Sequence, residues 1–324
     1  MNVLVTGGAG YIGSAAAEAL IKAGHKVTVY DSLVTGHRQA VPEQAEFVQA
    51  DIADGKKLAD VFASKKIEAV MHFAAFIEAG ESMKDPGKYF QNNLVNSLSL
   101  IETAVKAGVR KFVLSSTAAV YQSSEEPITE ESPIGPTNTY GYTKLAVENS
   151  LEWYRQIYGL HFAALRYFNA SGALPGKGEA HQPESHLIPR VLEVALGRAE
   201  SAYIFGTDYP TPDGTCIRDY IHIADLVSAH LLALGALSER DRMIYNLGSG
   251  TGYSVRDVID TASSVSGRNI PVIEHGRRPG DSARLVASSE KIRRELGWKP
   301  ERDSLKEIIG SAWDWHLNHP NGYK

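Results

Sequence analysis

A glycine-rich run, Thr6-Gly7-Gly8-Ala9-Gly10-Tyr11-Ile12-Gly13, follows the apolar stretch 3–6 and leads into a helix-patterned segment, 12–23. Gly8, Gly10 and Gly13 satisfy G-x-G-x-x-G, and Gly7, Gly10 and Gly13 satisfy G-x-x-G-x-x-G. In a strand–turn–helix setting these glycines allow a tight turn. They also let backbone N–H groups approach a pyrophosphate at the helix N-terminus, where the dipole favours negative charge. A chain that opens this way is constrained to a parallel sheet with helices packed upon it.

The first half keeps that rhythm. Strand patterns at 3–6, 26–30, 46–49, 69–73, 111–115 and 161–167 alternate with helical patterns at 12–23, 58–64, 88–107 and 139–158. The expected fold class is α/β, a Rossmann-like doubly wound parallel sheet with a smaller C-terminal α/β substrate lobe. From Asn169 the rhythm breaks into the loop 172–178, a helix at 187–197 and a turn at 209–214. Another strand pattern, 243–247, is expected to return to the first sheet. The predicted division is a dinucleotide-binding domain at 1–168, rejoined by about 218–250, and a lobe at 169–324.

Asp31 ends the second strand pattern, about 20 residues after the glycines, where an acid bonds the adenosine ribose hydroxyls. A carboxylate there repels a 2′-phosphate, so NAD is the expected cofactor rather than NADP. His37 and Arg38 follow in what reads as a solvated loop. Asp51-Ile52 suits an adenine ring, and Phe73-Ala74-Ala75 offers small residues where the backbone passes close to a ligand.

With 324 residues and a formal charge of −5, the chain has no basic stretch to track a nucleic acid. The single Cys216 rules out an internal disulfide or a cysteine cluster for zinc, which suits a reducing cytoplasm. The start Met1-Asn2-Val3-Leu4-Val5 predicts no leader, and no apolar run approaches the ~20 residues of a membrane helix. The 11 histidines show no His-Glu-x-x-His or similar spacing, so no metal is expected. His186 and His222 read as polar packing groups. The turn 248–252 reads as strand-to-helix, with Ser254 and Asp257 as an acidic capping box. A Gly-x-Ser-x-Gly elbow is absent, which excludes that route to a serine hydrolase.

Tyr140 and Lys144 lie four residues apart within 139–158, which puts both side chains on one helix face. A phenol beside an ammonium makes a base. Moving a phenol from its ordinary value near ~10 to 7 takes about 4 kcal/mol of differential interaction. One Lys together with an oxidised nicotinamide ring is expected to supply it in a dry cleft.

These residues resemble the extended short-chain dehydrogenase/reductases, and within them the UDP-glucose (UDP-galactose) 4-epimerases. The similarity runs nearly end to end. Its marks are Thr6 to Gly13, Asp31, His72-Phe73-Ala74-Ala75, Gly80-Glu81-Ser82, Asn92-Asn93, the run 115–121 and the Tyr140/Lys144 pair. Further on come Arg166-Tyr167-Phe168-Asn169, the run 204–210, Arg218-Asp219-Tyr220-Ile221-His222, Arg278-Pro279-Gly280-Asp281 and the tail 315–323.

The resemblance implies that Tyr140 is the catalytic base and acid, that Lys144 tunes it and holds the nicotinamide ribose, and that Thr117 bonds the reacting sugar hydroxyl. For the cofactor it implies Gly7, Gly10, Tyr11, Ile12, Gly13, Asp31, Ser32, Leu33, Gly36, Asp51, Ile52, Phe73, Ala74, Ala75, Asn92, Ser115, Tyr140, Lys144, Tyr167 and Phe168. For a UDP-sugar it implies Thr117, Tyr140, Asn169, His186, Leu187, Tyr203, Phe205, Arg218, Arg278, Asp281 and Leu285. The two arginines suit the diphosphate, whose oxygens match guanidinium forks. Ile77 stands where some relatives carry Lys, which leaves one cofactor contact unmatched. Leu285 stands where some carry a Tyr beside the sugar C2 substituent, which suggests room for an N-acetyl group. Family members pair two helices across a two-fold axis, so a homodimer is expected.

Such a set serves inversion at C4. The C–H bond there has no acidifying carbonyl beside it, so transient oxidation to a 4-keto sugar is the physical route. Close alternatives are a 4-epimerase for UDP-GlcNAc/GalNAc or UDP-pentoses. A 4,6-dehydratase would want an Asp-Glu pair where Ala118-Ala119 follow Thr117, and a uronate enzyme would want a further cation. A non-catalytic dinucleotide sensor has no use for an activated phenol.

Overall fold

Val3, Leu4, Val5, Val70, Met71, Phe112 and Leu114 are all essentially inaccessible to solvent. Continuous burial, rather than alternation, is what a strand covered on both faces requires. The computed structural model describes residues 1–278 and 281–324, so Pro279 and Gly280 of the expected substrate motif lie outside the described residues.

The main sheet has seven strands: β1 (Asn2–Thr6), β2 (Lys26–Asp31), β3 (Glu46–Gln49), β4 (Ala69–His72), β5 (Lys111–Thr117), β6 (His161–Tyr167) and β7 (Arg242–Leu247). Their order is β7-β6-β5-β4-β1-β2-β3, parallel throughout. One face carries the helices Tyr11–Lys22 and Ile223–Ala236, which bury Ala15, Leu20, Leu226 and Ala233. The other carries Gly55–Lys65, Asn96–Lys106 and Thr139–Tyr158, which bury Phe62, Leu100, Ile101, Val147 and Leu151. This is a Rossmann-like α/β fold. The strand order reverses between β1 and β4, and crevices at such a reversal are where ligands bind.

A separate apolar cluster, including Ile188, Leu192, Val258 and Ile308, joins the helices Leu187–Ala195, Val255–Ser266 and Leu305–Asn318. Beside it lies the parallel pair Ala202–Phe205 and Val272–His275. The capping box forms as expected: Ser254 Oγ accepts from the Asp257 N–H at 3.0 Å, and Asp257 Oδ2 accepts from the Ser254 N–H at 2.8 Å.

The sequence pattern differs from the structure at several places. The stretch 88–107 is not one helix: a short turn, Pro86–Tyr89, passes through a widened π-type segment, Phe90–Val95, into Asn96–Lys106. Within the widened segment the buried Asn93 spends its side chain on both the N–H and the C=O of Phe76, at 2.9 and 2.8 Å. Widened turns of this kind gather at functional sites. The helix 187–197 ends at Ala195, ahead of Gly197 with φ +72. The strand 243–247 begins one residue earlier and pairs with β6, Leu247 against Tyr167. Among the described residues no helix is long and apolar enough to cross a membrane.

Candidate active site

The glycine-rich turn sits at the carboxyl end of β1, and its glycines are sterically required. A Cβ on Gly13 would lie 2.1 Å from the Gly7 carbonyl oxygen, and one on Gly7 (φ +71) would lie 2.5 Å from the Ala74 nitrogen. No side chain caps the start of Tyr11–Lys22, and its first turn holds no acid, so its N–H groups and dipole face outward for an anion. Asp31, nearly buried at the end of β2, accepts from the Ala9 N–H at 2.9 Å and from the Leu33 N–H at 2.8 Å. Each carboxylate oxygen keeps acceptor capacity for a ribose hydroxyl. Gly36 closes against Asp31, within 2.9 Å for an added Cβ. These residues fit a dinucleotide.

Other expected cofactor residues gather here with varied surroundings. Ile52 is buried beside Tyr30, and Asp51 Oδ1 accepts from the Ala53 N–H at 2.8 Å. Asn92 lies in the widened segment and donates to Asn93 Oδ1. Tyr167 is buried, its hydroxyl bonded to His230. The solvated-loop reading holds for Arg38, which is exposed, but not for the half-buried His37. His37 stacks on Tyr323 at 5.0 Å with Nε2 3.0 Å from the Ala180 oxygen, and Arg38 lies over the Phe47 ring.

Thr117 ends β5, and the helix Thr139–Tyr158 begins against it. A Cβ on Gly141 would lie 2.3 Å from the Ala119 oxygen, so glycine after Tyr140 allows this contact. Asn138 caps the helix through the Gly141 N–H, and Ser82 Oγ accepts from the Tyr140 N–H at 3.2 Å. Lys144 is buried one turn on and donates to the Ser115 carbonyl at 2.8 Å.

Burial dominates the electrostatics of the pair. Lys144 does not by itself lower Tyr140. Burial pushes the Tyr140 phenol up to about 12, against the Thr117 hydroxyl, which lowers it, and with Glu78, which raises it further. Burial likewise brings the Lys144 ammonium down to about 8, with Glu148 opposing. Desolvation outweighs pairing for both groups.

A cavity of about 590 Å³ lies beside these strand ends. Asn169, His186, Leu187, Tyr203, Phe205, Arg218, Arg278 and Asp281 line it, whereas Thr117, Tyr140 and Leu285 do not. Leu285 instead packs with Phe168 against Val120 and Tyr121. Arg278 Nε donates to Asp281 Oδ2 at 3.0 Å, and its guanidinium lies 4.6 Å from the Phe205 ring centre. Arg218 Nη2 is 3.6 Å from Asp281 Oδ1.

Residues 3–248 match the family model described as the NAD dependent epimerase/dehydratase family. A UDP-glucose 4-epimerase of Lacticaseibacillus casei is 48% identical over 327 residues, covering 100% of this chain and 99% of the relative. The chain belongs to the UDP-glucose 4-epimerase family. A crystal structure of a UDP-glucose 4-epimerase superposes with a TM-score of 0.98 at 50% identity, covering all of both chains. The family member from Bifidobacterium longum, in complex with NAD+ and UDP, is 36% identical with a TM-score of 0.94, covering 99% of this chain and 100% of that one.

Three features of this epimerase-family site are not legible in motif spacing. The histidines carry no His-Glu-x-x-His spacing, yet Glu179, His181, Glu184 and His186 bring four donor atoms within 4.8 Å of one another. Burial works against charge on His186, but Glu179 and Glu184 outweigh it and hold the ring protonated, pushed up to about 11. Against burial, Glu179 raises His181 as well, through its hydrogen bond and charge. The signal was an alternation, Glu-x-His-x-x-Glu-x-His, rather than the helical spacing sought.

His72 joins β4 to the helix behind it: Nδ1 lies 2.7 Å from Thr6 Oγ1 and Nε2 lies 2.8 Å from Ser97 Oγ. Burial pushes it down to about 3, with Lys144 adding, so it is neutral. Glu148, one turn beyond Lys144, is clamped by Arg166 Nη2 at 2.6 Å and hydrogen-bonded by Ser116.

Proposed function

We propose that this chain interconverts UDP-glucose and UDP-galactose by NAD-dependent inversion at C4, with Tyr140 moving the proton of the O4 hydroxyl. The observation that carries the reading is the convergence of Thr117, Tyr140 and Lys144 on the ends of β5 and the glycine cradle, next to a cavity whose lining includes Arg218 and Arg278. The family relationship supports the substrate class, and the B. longum complex supports a UDP-sugar together with NAD.

The glycine turn and Asp31 would hold a dinucleotide, which when bound would supply reversible two-electron chemistry for the C4 hydride. This chain's residues do the rest. Thr117 offers one hydroxyl that can donate to and accept from the sugar O4 while Tyr140 takes the proton. Lys144, fixed by the Ser115 carbonyl, holds positive charge one helical turn from the phenol. Lys144 is buried and Tyr140 half-buried, which strengthens the electrostatic contacts between them and the substrate. Arg218 and Arg278 suit the diphosphate, the part of the substrate that stays fixed while the sugar turns. In this reading 1–168 with about 218–250 holds the cofactor and 169–324 the nucleotide sugar.

The deciding experiment is NMR of UDP-galactose mixed with purified protein and no added reductant. UDP-glucose signals should grow to a constant ratio, and an unchanged UDP-galactose spectrum would sink the reading.

Leu285 packs against Phe168 rather than lining the cavity, and its size carries a second expectation. If it leaves room beside C2, UDP-GlcNAc should be converted at a measurable fraction of the UDP-glucose rate, and no conversion removes the idea.

A homodimer fits the exposed apolar residues on the two helical stretches beside the site. Tyr142, Trp153 and Ile157 are 52%, 63% and 66% exposed, and Val95 is 48% exposed. Phe90 packs edge-on to Tyr142 at 5.9 Å. Such a contiguous surface suits an isologous interface. Light scattering at micromolar concentration should give twice the 35.2 kDa chain mass, and the monomer mass would contradict it.

A further inference from the structure

We propose that Glu78 sets sugar specificity, its carboxylate accepting hydrogen bonds from hydroxyls of a neutral hexose and repelling a hexose that carries a carboxylate at C6. This rests on the epimerase reading above and narrows its substrate class.

Glu78 follows β4 just beyond Phe73-Ala74-Ala75 and lines the 590 Å³ cavity. The cavity has two chemically distinct groups along its wall. One is guanidinium and aromatic: Arg278 touches Asp281 and the Phe205 ring, and Arg218 approaches the same Asp281. The other is rich in carboxylates. Ser185 donates to Glu78 Oε2 at 2.6 Å, its own N–H donates to Glu184 Oε1 at 2.8 Å, and Glu184 and Glu179 both bind His186.

The second group lies on the catalytic side: Glu78 opens the short helix Ala79–Ser82, whose Ser82 Oγ accepts from the Tyr140 N–H at 3.2 Å. With the diphosphate at the arginines, the reacting sugar falls between Tyr140 and Glu78. A carboxylate has about four acceptor sites and Ser185 uses one, so capacity remains for neighbouring sugar hydroxyls. His186 sits between Glu179 and Glu184, so its charge is already matched. Arg190 also lines the cavity, but its Nη1 reaches toward the Glu184 carbonyl oxygen at 3.5 Å, and among the described residues no cation forms a salt bridge with Glu78. Like charges brought together in a partly dry cavity strongly disfavour the wrong ligand.

The test compares kcat/KM for UDP-glucose and UDP-glucuronate in the NAD-loaded wild type, Glu78→Gln and Glu78→Lys. Glu78→Gln should shift the ratio toward the uronate by at least ~10-fold, chiefly through KM, and Glu78→Lys should shift it further. An unchanged ratio in folded, cofactor-loaded variants would overturn the assignment. A variant-independent arm uses UDP-glucuronate as a competitive inhibitor of the wild type. Its inhibition constant should lie well above that of UDP itself, and the ratio of the two should fall as salt is raised, since screening weakens the repulsion while acting alike on the shared diphosphate contacts. A ratio of one, or a ratio that does not fall with salt, also overturns it. Should the wild type fail to convert UDP-galactose at all, it is the epimerase reading that fails, a separate result.

Discussion

Replacing Tyr140 with Phe should lower UDP-galactose turnover by about 10²–10⁴-fold, the range that a positioned acid–base group contributes, while the protein keeps its dinucleotide. The substitution removes one oxygen from a half-buried side chain. The Tyr140 N–H bond to Ser82 and the Asn138 cap of the helix are main-chain features that Phe retains. The glycine cradle and Asp31 lie on other strands, so the 260 nm absorbance that travels with the protein on gel filtration should be unchanged. KM should move little, since the arginines and the aromatic wall remain. Full turnover in Tyr140→Phe would exclude the proposed proton transfer. Lost turnover with lost cofactor would instead assign Tyr140 a binding role.

The same residue marks where sequence reasoning stopped. Spacing placed Tyr140 and Lys144 on one helix face, and they are so placed, because four-residue spacing is a property of the helix itself. Their acidities were not legible. Desolvation depends on what β5, the 76–82 segment and the lobe bring against the helix, and it dominates both shifts. The main-sheet strands were legible almost to the residue, because strands buried on both faces are written as unbroken apolar runs. The break in 88–107 was not, because it depends on Asn93 reaching Phe76, 17 residues away. Arg218 and Arg278 were legible as diphosphate candidates through family motifs. Glu78 was passed over, as one acid in a segment read only for the neighbouring Ile77.

Glu148→Ala should be the most destabilising single change near the site, by about 3–5 kcal/mol, the cost of stranding one member of a buried ion pair. Glu148 and Arg166 side chains are only 3% and 5% exposed. Arg166 grips the carboxylate through Nε at 3.1 Å and Nη2 at 2.6 Å, and its Nη1 donates to the Tyr121 hydroxyl, which donates in turn to Asn246 Oδ1 at 2.8 Å. Burial works against the Arg166 charge, and Glu148 outweighs it. Remove Glu148, and a guanidinium stays buried at the junction of β5, β6 and β7. Urea unfolding of wild type and variant should show the loss as a lower midpoint, and a shift below about 1 kcal/mol would mean that water reaches Arg166. Glu148→Gln keeps a hydrogen-bonding side chain and should cost less stability. It also removes the one charge that holds the Lys144 ammonium up against burial. With a lower Lys144 value, less of the ammonium survives at a given pH, so the alkaline limb of the turnover profile should move to lower pH. An alkaline limb unmoved in Glu148→Gln would separate Lys144 from the activity.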